Sequence, residues 1–146
     1  MSKLKKLPYG ISDFEQVIGR NYYFVDKTTY LPLIEDSRDN LLFIRPRRFG
    51  KSLFVGMLST YYDILQKDRF DEVFGNLWIG QHPTEERNSY QILRFDFSKV
   101  GGVSSLEELK ESFDAYCGGI VDEFAEKYAA FYRPTFVEEI KKKPTA

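Results

Sequence analysis

Apolar positions along the chain change period several times, and each change marks an element. Ser12-Asp-Phe-Glu15 sets a hydroxyl three residues before a carboxylate, the spacing that satisfies two free amides at the start of a short helix. Tyr22-Tyr-Phe-Val25 reads as extended and Asp26-Lys-Thr28 as a polar break. Thr28 or Thr29 then caps a second helix to about residue 35, with Pro32 tolerated because it falls near the first turn. Residues 37–40 read as a loop. Leu41-Leu-Phe-Ile44 is an unbroken apolar run after turn residues, the pattern of a strand covered on both faces in a parallel sheet. Beyond residue 50 the period becomes helical: Leu53, Met57, Leu58, Tyr61, Tyr62 and Leu65 predict an amphipathic helix from 51 to about 66. Gly56 inside it costs roughly 1 kcal/mol relative to Ala, which close packing against the sheet would offset.

The second half repeats the alternation. Residues 70–79 are rich in aromatic side chains, and 82–89 form a polar loop. Gln91-Ile-Leu-Arg-Phe-Asp-Phe97 predicts a second strand, closed off by Gly101-Gly102. Ser104 and Ser105 each stand three residues before a glutamate and start a long helix. Leu106, Leu109, Phe113, Tyr116, Ile120, Phe124 and Tyr128 carry that helix, with Gly118-Gly119 as a point for a kink. Pro134-Thr135 opens a last short helix, and residues 141–146 read as a solvated tail. The implied fold is α/β, an incomplete parallel sheet flanked by helices.

Composition narrows the function classes. The 146 residues leave room for one ordinary domain, and 42% hydrophobic with 29% charged residues exclude a disordered or collagen-like chain. Thirteen Phe and ten Tyr suggest broad apolar faces, some of them meant for another domain or partner chain. A net charge of -1 gives the whole molecule no reason to collect on nucleic acid or an anionic membrane. With one Cys and one His, the sequence excludes disulfides, CxxC redox chemistry and Cys/His zinc sites. A basic start leading into Leu7-Pro-Tyr-Gly10 is not a signal peptide, and no run is long enough to span a membrane. A reducing, cytoplasmic setting is the expectation.

The chemistry concentrates in Arg45-Pro-Arg-Arg-Phe-Gly-Lys-Ser52, which matches the phosphate-binding pattern G-x-x-x-x-G-K-[ST] except that Arg45 stands at the first glycine. Gly50 lets the backbone approach a phosphate, Lys51 reaches the β and γ oxygens, and the Ser52 hydroxyl suits Mg²⁺. Leu53 follows in the helix whose free amides and dipole favour an anion. The candidate nucleotide-binding residues are therefore Arg45, Pro46, Arg47, Arg48, Phe49, Gly50, Lys51, Ser52 and Leu53, with ATP and Mg²⁺ as ligands. Four cations within seven residues need a partner, and nucleic acid phosphates or an acidic protein face remain alternatives to a nucleotide. Asp96, at the end of the second expected strand, is a candidate magnesium carboxylate. Asp122-Glu123 falls inside a helical period and reads as a surface pair. Asp26 and Lys27 read as a structural pair or as residues ordering a base pocket, and Tyr9, Tyr22 and Tyr23 as core or lid packing ahead of base stacking.

The loop, together with Gly10-Ile-Ser-Asp-Phe14, Phe24-Val-Asp-Lys-Thr28, Phe74-Gly-Asn-Leu-Trp-Ile79 and Phe95-Asp-Phe-Ser98, resembles the AAA-ATPase-like family of P-loop proteins. The resemblance implies that Arg45 is ordinary for this loop and that the fold is that of a P-loop NTPase. It further implies that residues 1–146 are the N-terminal portion of such a domain, 8–40 a helical and extended segment and 41–146 a P-loop core truncated before the Walker B strand. Hydrolysis by this chain alone is then doubtful. A nucleic-acid-binding or protein-interaction module using the basic loop, or an inactive truncated product, are the alternative readings.

Overall fold

A computed structural model describes residues 4–37, 40–102 and 104–142. The chain divides into two compact units, one ending at Tyr90 and one beginning at Gln91. Among the described residues no β-strand forms; one isolated parallel bridge joins Asp63 to Tyr90. The expected α/β fold with an incomplete, helix-flanked parallel sheet is therefore corrected. Both units are built from helices, 3₁₀ turns and irregular chain.

The first unit contains α1 (Phe14–Gly19), α2 (Leu31–Glu35), α3 (Lys51–Tyr62), α4 (Phe70–Phe74) and α5 (Trp78–Gln81). Asp13, rather than Ser12, caps α1: its carboxylate accepts from the Gln16 amide at 2.8 Å, one residue later than the Ser-x-x-Glu spacing predicts. Phe14, Leu31, Met57, Tyr61, Phe74 and Ile79 share one buried cluster drawn from all five helices. Phe74 sits at its centre, with ring centroids 5.4 Å from both Phe14 and Tyr61. Gly56 has its predicted packing role but a different partner. A Cβ there would lie 3.5 Å from the Phe14 Cβ, so the close approach is to α1 and not to a sheet.

The helix expected to reach residue 66 stops at Tyr62 because Asp63 turns extended (φ -66°, ψ 120°). Its buried carboxylate caps a following 3₁₀ turn, Ile64–Arg69, by accepting from the Leu65 amide, while the Ile64 amide donates to the Tyr90 carbonyl. Leu41-Leu-Phe-Ile44, expected as the first core strand, lies exposed, Leu42 at 82% and Ile44 at 77%. An apolar run specifies burial, but a strand also needs a neighbour to satisfy its amides, and no ladder reaches this one.

Where residues 24–30 meet α5, one carboxylate is fully used. Asp26 accepts from the Thr28 amide and hydroxyl through one oxygen, at 2.8 and 2.7 Å, and from the Trp78 amide through the other, at 2.7 Å. The Thr28 hydroxyl, itself buried, accepts from the Ile79 amide at 3.1 Å. Thr28 thus receives a cap from Asp26 rather than acting as one, and a 3₁₀ turn, Thr28–Tyr30, leads into α2. Glu35, at the far end of α2, accepts from the Tyr62 and Thr84 hydroxyls at 2.9 and 2.8 Å. Since Thr84 spends its proton on Glu35, the Tyr61 hydroxyl 2.9 Å away donates to Thr84.

The second unit holds α6 (Leu106–Lys127) and α7 (Phe136–Lys142), packed on each other. Ser105 caps α6 by accepting from the Glu108 amide, as the spacing predicts, while the Glu108 carboxylate accepts from the amide of Ser104, one residue before the cap. The helix continues through Gly118-Gly119, and Asp122-Glu123 lies within it. Residues 91–97, expected as the second strand, send amides to tyrosines instead. The Ile92 amide donates to the Tyr128 hydroxyl at 2.8 Å and the Asp96 amide to the Tyr116 hydroxyl at 2.6 Å. The phenols of Tyr116 in α6 and Tyr128 just after it take the places that ladder carbonyls would fill. Lys141 and Lys142 end α7, and the rest of the expected tail, 143–146, lies outside the described residues, as do Arg38 and Asp39 of the expected loop.

Two outcomes test these contacts. Thr28→Val should cost about 1–3 kcal/mol in urea unfolding, because the Ile79 amide is left buried without an acceptor; a change below about 0.5 kcal/mol would contradict the clasp. Burial, and then Glu35, hold the Tyr62 phenol well above its ordinary 10.0, so its contribution is whole below that pH and fades as pH rises beyond it. The stability gap between the wild type and Tyr62→Phe should narrow above pH 10, by at most about 1.4 kcal/mol per pH unit. A gap constant from about pH 9 to 11 would exclude the raised phenol.

Candidate functional site

The nine candidate residues 45–53 are contiguous and sit where irregular chain enters α3. Gly50 is the N-cap, in the left-handed region (φ 73°, ψ 19°), and no side chain caps the helix. The first bond of the turn runs from the Phe54 amide to the Gly50 carbonyl at 2.9 Å. The amides of Lys51, Ser52 and Leu53 precede it, so no carbonyl of α3 reaches them. Arg48 is also left-handed (φ 67°), an expensive conformation for a residue with a Cβ. Two such residues within three turn the loop back on itself. The Lys51 ammonium donates to the Arg45 carbonyl at 2.7 Å, closing the loop from helix start to loop start.

The Arg45 side chain points another way. Its guanidinium carbon lies 5.5 Å from the centroid of the Phe43 ring, and Phe43 stacks on Phe54 of α3 at 5.0 Å. These groups border a cavity of about 560 Å³. Arg45, Phe49, Gly50 and Leu53 of the candidate set line it, with Phe43, Phe54 and Met57 beside them. Tyr23, Phe24, Val25, Lys27 and Tyr30 also line it. Pro46, Arg47, Arg48, Lys51 and Ser52 are exposed and do not line it. The lining carries two cations, Lys27 and Arg45, and no carboxylate.

Sequence reasoning did not name Tyr30 or Phe43 as site residues, and it placed base stacking by Tyr23 behind packing. Tyr23 was expected to pack in a core or lid, yet it is 54% exposed and walls the cavity. Its signal was present: two tyrosines and a phenylalanine directly before a polar Asp-Lys-Thr cannot all face one core. Of the pair Asp26 and Lys27, Asp26 is committed to Thr28 and Trp78, and Lys27 faces the cavity. Asp96 belongs to the second unit, where its carboxylate accepts from the Ser98 hydroxyl and amide at 2.6 and 3.2 Å. Those bonds, the hydroxyl's first, hold it below the ordinary carboxylate range. Among the described residues no three His, Cys, Asp or Glu side chains gather as a metal site, and no helix is long and apolar enough to cross a membrane.

Compared with known proteins, residues 8–145 match the family described as "Predicted AAA-ATPase". The chain belongs to this AAA-ATPase-like family. It is also 38% identical over 109 residues to a protein of Azotobacter chroococcum mcd 1 described as an uncharacterized protein in the vnfD 5′ region. That match covers 68% of this chain and 18% of the relative, so the chain spans less than a fifth of the relative's length. No solved structure matches it. In this AAA-ATPase-like chain Arg45, Phe49, Gly50 and Leu53 of the loop lie at the cavity.

Gly50→Ala should cost about 1–2 kcal/mol in chemical denaturation, from left-handed backbone strain alone, because nothing lies within 4 Å of the added Cβ. Unchanged stability would show that Gly50 does not hold a left-handed conformation in solution.

Proposed function

We propose that residues 45–53 bind the phosphates of ATP and that nucleotide binding is the function of the first unit. The observation supporting this most directly is the junction at Gly50. A left-handed glycine opens a twelve-residue helix whose first three amides lack helical acceptors, beside the Lys51 ammonium. An anion there would meet oriented amides, the positive end of α3 and the exposed cations Arg47 and Arg48. The donor set fits a polyphosphate. Magnesium accompanying ATP would find the Ser52 hydroxyl, and its chemistry is to neutralise phosphate charge. The chain's own work in this reading is to bind and orient. Neither the loop nor the cavity lining offers a carboxylate to activate water, so we assign binding without efficient turnover. A cytoplasmic setting belongs to the same reading.

Calorimetry with ATP and Mg²⁺ should give saturable binding, and Lys51→Ala should weaken it at least about tenfold. No heat at millimolar ATP, or equal affinity for Lys51→Ala, would overturn the reading. Retention of single-stranded DNA that falls steeply with salt and ignores nucleotide would instead favour the nucleic-acid alternative.

A further inference from the structure

The position that departs from the phosphate-binding pattern is also one of the four loop residues that line the cavity. Arg45 stands where the pattern has its first glycine, and two parts of the residue do two things. Its carbonyl holds Lys51, while its guanidinium lies over Phe43 at the cavity's edge. Phe43 is in turn fixed by its stack on Phe54, so the guanidinium rests on a supported ring. At 5.5 Å from the Phe43 centroid the guanidinium is within cation–π range of the ring, and planar bases stack on arginine guanidinium groups as they do on aromatic rings. The cavity, at about 560 Å³, has the volume of a small-ligand site, about 300–1,000 Å³ being usual, and Tyr23 and Tyr30 line it as well.

We propose that Arg45 is a base-stacking residue: it lies between Phe43 and the planar aromatic base of a nucleotide whose phosphates occupy the adjoining loop. This rests on the phosphate-binding reading above. It explains the arginine in chemical terms, since glycine would serve the backbone turn and leave the cavity edge bare.

The test compares ATP with inorganic tripolyphosphate, which has the charge and no base. Arg45→Lys keeps the cation and the carbonyl that holds Lys51 but removes the planar surface. Its side chain is exposed, so circular dichroism should match the wild type. Calorimetry should show ATP affinity down about tenfold and tripolyphosphate affinity unchanged. Phe43→Leu should show the same split, and the double variant should lose little more than either single one. ATP affinity unchanged in Arg45→Lys, or equal losses for both ligands, would overturn the base-stacking role while leaving phosphate binding standing. A wild-type chain that binds neither ligand would remove both readings together.

Discussion

One carboxylate decides the form of the loop side of the first unit. Asp26 divides its two oxygens between Thr28 and the amide of Trp78, and Thr28 passes the connection on to Ile79. The four-residue helix α5 is too short to hold itself, because one turn fixes many dihedrals for few hydrogen bonds. Its first amides find acceptors on a distant stretch of chain, which is pinned in return. That stretch carries Tyr23, Lys27 and Tyr30, one wall of the cavity. The wall's position is therefore set by polar bonds behind it, and its aromatic faces stay free because they are not needed for burial.

The same accounting of backbone groups explains how the chain manages without a sheet. Residues 91–97 send amides to the hydroxyls of Tyr116 in α6 and Tyr128 just after it, and among the described residues Asp63 and Tyr90 share the single bridge. Side chains doing ladder work give local order without propagating it, since a phenol satisfies one amide and offers no next acceptor. Irregular but bonded chain is the result.

Legibility in the sequence follows from this. Helices and caps are encoded within a few residues, so the Ser105–Glu108 cap, the helical course of α6 and α3, and Pro32 in the first turn of α2 could all be read locally. Where two acceptors competed, as Ser12 and Asp13 did, the pattern misplaced the cap by one residue. Strands depend on partners far along the chain, and Leu41-Leu-Phe-Ile44 records only a demand for burial. Gly56 shows the intermediate case: its spacing announced a close approach, but whether helix or sheet would make it was a tertiary question answered by Phe14. The loop could be found because its residue types have few other uses in that order. The cavity wall could not, because Tyr23 and Tyr30 acquire their place only through Asp26.

Backbone strain separates what Arg45 does from what Gly50 does. Positive φ falls on Arg48 and Gly50 within the loop and not on Arg45. The loop therefore asks for conformational freedom at its end, where it turns into α3, and tolerates a side chain at its beginning. A glycine at position 45 would loosen the unfolded chain and add no conformation that the loop requires. The arginine must then be understood through its side chain, which is held by Phe43, and through a carbonyl that any residue would supply. Departure from the pattern at this position leaves the backbone logic of the loop intact and adds a charged, flat surface where the loop meets the cavity.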